Sequence, residues 1–88
     1  MEKTFKAHVL LVDDEKDFLE LLATRLRNRN MDVSTATSGE EAINISREAR
    51  FDIIVIDLAM PGMDGIETIK QIKTDRSNAE VIMLTGHA

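Results

Sequence analysis

The sequence predicts an α/β domain built on a doubly wound parallel sheet of strand order 2-1-3-4. Three observations carry that expectation. Residues 9–12, 53–56 and 81–84 are short aliphatic runs without the polar alternation of half-exposed strands. Segments with helical spacing of apolar residues lie between the strands. The order is strand–helix three times and then a strand, which right-handed crossovers fold into one sheet with helices on both faces.

Each element has its own signal. VLLV (9–12) stops at Asp13 and Asp14, the pattern of a strand buried on both faces. Phe18, Leu21, Leu22 and Leu26 recur at helical spacing between charges, giving a helix of about three to four turns that ends near 28–30. Val33 and Thr35 alternate with polar neighbours, as in a short edge strand. Ser38-Gly39-Glu40-Glu41 has capping-box spacing: the serine hydroxyl takes an orphan N–H and Glu41 reaches back. Ala42, Ile45 and Ala49 then mark the inner stripe of a second helix.

Residues 53–56 are β-branched aliphatics ending on Asp57. Asp64 caps a third helix with Ile66, Ile69 and Ile72 at every third position, and Lys70 and Lys73 in its last turns suit the helix dipole. Residues 81–84, VIML, form the last strand and run into Thr85-Gly86-His87-Ala88. In a 2-1-3-4 sheet this strand is an edge, yet its uncharged apolar pattern is that of an interior strand. An edge of that kind associates unless something covers it, so the sequence predicts a further strand or self-association there.

Composition narrows the function. The 88 residues make one domain, 1–88, with 43% hydrophobic and 31% charged residues, as in soluble globular proteins. No cysteine is present, which removes disulfides and thiolate metal sites and fits a reducing cytoplasm. No apolar run approaches the roughly 20 residues that span a bilayer, and no signal-peptide core opens the chain. A net charge of −5 and the lack of Trp and Tyr speak against direct nucleic-acid binding by this segment.

The chemistry lies in the acids. Open parallel sheets bind ligands at the carboxyl ends of strands where the strand order reverses. The first and third strands meet there, bringing Asp13, Asp14 and Asp57 into one crevice. Three like charges so close need a counter-charge. A hard divalent cation, Mg²⁺ (or Mn²⁺), suits a few carboxylates with room for waters and a phosphate. Thr85 adds a hydroxyl to the same rim. Taken singly, Asp13 or Asp14 reads equally well as a cap of the first helix. Asp57 has no such alternative, and the convergence is what argues for chemistry. Met60 and Met63 flank the acidic loop as packing residues, since thioethers are poor Mg²⁺ ligands. His8 reads as a strand-entry residue and His87 as a loop histidine.

VLLVDDE, IIVIDLAMPGMDG and VIMLTGHA together resemble the receiver domain of bacterial two-component response regulators, with its flavodoxin-like sheet. The resemblance covers essentially the whole chain. It implies that Asp57 is the phosphoacceptor for a sensor histidine kinase or histidine phosphotransfer domain. Asp14 would bind Mg²⁺ directly and Asp13 directly or through water, with Asp57 and the backbone carbonyl of Ala59 completing the protein ligands. Thr85 would be the switch hydroxyl, and Pro61, Gly62 and Gly65 would shape the loop. Such a domain is regulatory rather than an enzyme, limited to its own phosphotransfer and dephosphorylation. The family continues through a fourth helix, a fifth strand ending in a phosphoryl-binding lysine, and a fifth helix. None of these is in the 88 residues, so the expectation is a receiver incomplete at its C-terminus. Two competing readings are a degenerate receiver used only for interaction or dimerisation and a Mg²⁺-dependent aspartyl-phosphate phosphatase. The second usually carries an acid two residues after the nucleophile, where this chain has Ala59.

Overall fold

The computed structural model describes residues 6–62, 64–75 and 78–84. The elements are β1 (His8–Val12), α1 (Lys16–Asn28), β2 (Asp32–Ala36), α2 (Gly39–Glu48), β3 (Ile53–Asp57), α3 (Gly65–Asp75) and β4 (Glu80–Leu84). The four strands form one parallel sheet in the order β2-β1-β3-β4, as the sequence predicts.

The aliphatic runs bury both faces of the sheet. Leu10, Val12, Ile54 and Ile56 point into a cluster with Ala42 of α2, Ile72 of α3, Phe51 and Met60. Val9 and Leu11 point the other way and meet Leu19 and Ala23 of α1. Burying each large aliphatic contributes roughly 1.5–3 kcal/mol, so the continuous strands hold the two helical layers together.

The helix faces expected from the sequence are met in part, Leu22, Leu26, Ala42, Ile45, Ile69 and Ile72 lying against the core. In α1, Leu19 and Ala23 are the buried residues, whereas Phe18 is 37% and Leu21 54% exposed. Ala23 lets the helix axis approach the sheet, and that rotates the bulkier Leu21 outward. In α2, Ala42 and Ser46 are buried, and Ile45 and Ala49 only partly so. In α3, Ile72 is buried and Ile69 half-buried, but Ile66 is 51% exposed and Thr68 takes the inward position one turn before Ile72. A strict three-residue repeat drifts around a 3.6-residue helix, so the three isoleucines cannot share one face.

α1 ends in a Schellman motif. Asn30 adopts φ 67°, the Asn30 N–H donates to the Arg27 carbonyl and the Met31 N–H to that of Leu26. Leu26 and Met31 both pack on the smaller core.

β4 pairs with β3 and leaves its other side open among the described residues. Ile82 is 48% and Met83 51% exposed, on opposite faces of the strand. The mismatch read in the sequence, an interior-like strand at an edge position, is therefore present in the fold. Lys73 Nζ donates to the Ala79 carbonyl at 2.8 Å, which ties the end of α3 to the entry of β4 and keeps this lysine away from the carboxyl ends of the strands.

Candidate functional site

β1 and β3 are adjacent and in parallel register, Val12 opposite Ile56. Their carboxyl ends therefore deliver Asp13 and Asp57 side by side. Both carboxylates are buried to 2% exposure, and Asp14 stands exposed beside them. One oxygen from each of the three lies within 4.8 Å of the other two.

The backbone holds the two buried acids in the same way. Asp13 Oδ1 accepts the Glu15 N–H at 2.9 Å, and Asp57 Oδ1 accepts the Ala59 N–H at 2.9 Å. Each is an Asx turn, which lets the chain leave the strand while fixing the carboxylate. Glu15, the cap residue of α1, makes no side-chain cap bond. Asp13 thus serves the strand-end turn that leads into α1.

The flanking loops are braced as well. The Asp13 N–H donates to the Ala36 carbonyl, and the Leu58 N–H to that of Leu84. Gly62 has φ 73° in the turn after Pro61. A Cβ at Gly65 would meet the end of the Leu58 side chain, which would have to shift to admit it where α3 starts against the loop after Asp57. Asp64 Oδ1 accepts the Glu67 N–H at 3.0 Å, the cap read from the sequence. Met60 is buried in the core, as its packing role requires. Thr85, together with Met63 and His87, lies outside the described residues.

The donor set fits a hard cation. Three carboxylate oxygens clustered at one strand end match the all-oxygen ligand preference of Mg²⁺. Asp13, Asp14 and Asp57 would hold the ion, and the Ala59 carbonyl sits on the loop whose N–H already binds Asp57. A cleft of about 480 Å³ between α2 and α3 opens next to Asp14, lined in part by Ser38, Ile43, Met60 and Gln71. It leaves room for solvent on the Asp14 side of the cluster.

The start of α2 carries the capping interactions read from the sequence. Glu41 reaches back past Ser38: its Oε1 accepts the Thr37 N–H at 2.7 Å and lies 3.3 Å from the Thr37 hydroxyl, while Ser38 Oγ accepts the Glu41 N–H at 3.1 Å.

Comparison with known proteins agrees with this geometry. The sequence profile of the response regulator receiver domain matches residues 9–88. The transcriptional regulatory protein ResD of Bacillus subtilis is 41% identical over 86 residues, which make up 98% of this chain and 35% of ResD. A response regulator from Burkholderia pseudomallei, solved with a phosphorylated aspartic acid, calcium and citrate, superimposes with TM-score 0.87 at 28% identity, covering 94% of this chain and 49% of that one. A chain of the complex between the histidine kinase ThkA and the response regulator TrrA does so with TM-score 0.81 at 33% identity, covering 93% and 71%. The chain spans about a third of the length of ResD. The fold, the strand-end acids and the profile match agree: this chain belongs to the response regulator receiver domain family.

Proposed function

We propose that this domain receives a phosphoryl group on Asp57 from a histidine kinase or histidine phosphotransfer domain and passes the change on as a shift in conformation. The observation that carries the reading is the meeting of Asp13, Asp14 and Asp57 within 4.8 Å, with Asp57 fixed at the end of a buried strand. A carboxylate oxygen of Asp57 attacks the phosphorus of a phosphohistidine, the P–O bond forms as the P–N bond breaks, and the leaving imidazole takes up a proton. Bound Mg²⁺ would neutralise charge on the transferring phosphoryl group. Asp13 and Asp14 supply the carboxylates that hold it, the Ala59 carbonyl contributes from the loop, and the Ala59 N–H keeps Asp57 oriented. Thr85, next after β4, is the hydroxyl assigned to meet the phosphoryl oxygen and bias the switch. The phosphorylated aspartic acid of the Burkholderia protein and the kinase-bound pairing of ThkA with TrrA support this reading. The cytoplasmic location expected from the sequence goes with it.

A second property rests on its own observation. Exposed Ile82 and Met83, on the two faces of β4 beside its open edge, favour self-association of this chain through that edge.

Incubation with acetyl phosphate and Mg²⁺, followed by intact mass measurement, tests the main proposal. One added phosphoryl group is expected, and it is lost in Asp57→Asn. An adduct that survives this substitution, or no adduct on a chain extended through the lysine that ends the family's fifth strand, overturns it.

A further inference from the structure

One peptide group links α2 to the acidic site. The Ala36–Thr37 peptide is hydrogen-bonded at both ends: its N–H donates to Glu41 Oε1 at 2.7 Å, and its C=O accepts the Asp13 N–H at 3.1 Å. A trans amide is a rigid plane with N–H and C=O on opposite sides. A force that holds one end therefore holds the other. The first bond is charge-assisted and short, the stronger kind, and bonds in series polarise one another.

The shift of Glu41 by one residue gives this arrangement its reach. In a capping box the acid returns to the N–H of the cap residue, here Ser38, and so acts on the helix alone. Here it returns to Thr37, the peptide that closes the end of β2 against the end of β1. Ala36 is 1% exposed and paired with Val12, so the plane has little freedom to adjust.

We propose that Glu41 is a positioning residue for the acidic site, acting through the Ala36–Thr37 peptide plane on the backbone of Asp13. The inference rests on the reading of Asp13, Asp14 and Asp57 as a divalent-cation site. Glu41 touches neither the cation nor the phosphoryl group. It sets where the Asp13 carboxylate starts, and the site loses affinity when that anchor is released.

The test measures Mg²⁺ dissociation constants by calorimetry, together with amide exchange at Asp13 and Thr37 and the melting temperature. Glu41→Ala is expected to weaken Mg²⁺ binding about three- to tenfold, below the 10–100-fold typical of groups bonded directly to a ligand. It also speeds exchange at Asp13. Glu41→Gln keeps an acceptor and restores most of the affinity. Ser38→Ala removes the other half of the cap, lowering the melting temperature while changing Mg²⁺ affinity less than twofold. Affinity that is unchanged in Glu41→Ala, or that falls in Ser38→Ala and Glu41→Ala in proportion to their melting temperatures, overturns the proposal. Absence of Mg²⁺ binding by the unsubstituted domain overturns the underlying site reading, a separate and distinguishable result.

Discussion

Val12 and Ile56 stand opposite each other on adjacent parallel strands, and each is followed at once by an aspartate. That single register relation places Asp13 and Asp57 at one level of the sheet with their carboxylates buried. A slip of one residue along either strand would turn the aliphatic set to the opposite face and separate the acids. The core thus enforces the geometry of the site.

Mg²⁺ is expected to stabilise the domain. At about a hundred times its dissociation constant a ligand of the native state adds about 2.7 kcal/mol. At roughly 4–8 °C per kcal/mol for a domain of this size, the melting temperature rises by about 10–20 °C. Asp13→Asn and Asp57→Asn should remove most of that rise, and Glu48→Gln, at the far end of α2, should leave it. Thermal scans with and without Mg²⁺ measure this. Equal rises in all four proteins would exclude the acidic cluster as the binding site.

Substitutions at Gly62, in the loop after Asp57, and at Gly65, which opens α3, are expected to fail for different reasons. Gly62→Ala meets no atom within 4 Å but must hold φ 73°, a cost of about 1–2 kcal/mol. Gly65→Ala drives a methyl group into Leu58, typically about 1–3 kcal/mol. Adding Leu58→Ala should recover part of the loss in the second case only. A double-mutant cycle followed by urea unfolding decides it, and rescue of Gly62→Ala by the same change would refute the distinction.

On α3, Ile72→Ala should cost about 2–5 kcal/mol because it opens a cavity in the larger core. Ile66→Ala, on an exposed position, should stay within about 0.5 kcal/mol of the parent. Denaturant midpoints compare them directly. Similar losses at both positions would place the buried face of the helix elsewhere.

Ile82→Lys or Met83→Lys on β4 should abolish concentration-dependent association while changing stability by less than about 1 kcal/mol, since both side chains are about half exposed. Light scattering over a concentration series provides the readout. An unsubstituted chain that stays monomeric throughout removes the basis for edge pairing.

The strands and the acids were legible in the sequence because both depend on local pattern. A run such as 53–56 followed by Asp57 can only be a buried strand delivering a carboxylate, and crossover handedness brings it beside Asp13. The helix faces were less legible. Phe18, Leu21 and Ile66 are large and apolar, but the sheet selects residues by fit, and Ala23, Ser46 and Thr68 occupy inward positions that hydrophobicity alone does not mark. That Glu41 reaches the Thr37 N–H in particular was not legible, because the box motif records spacing and not which peptide lies within reach. The mismatch of β4 was read correctly from its lack of charge and is visible in the exposure of Ile82 and Met83.

The sheet divides the interior unequally. Among the described residues, ten buried apolar residues lie on the α2 and α3 side, and four on the α1 side. Helix α1 packs alone on the smaller of the two cores, its Leu19 and Ala23 meeting Val9 and Leu11. Sub-global opening should release residues 16–28 first, so their amides exchange with solvent before those of β1 and β3. The molecule has a tough half and a loose half, and Asp14 lies where the two are joined.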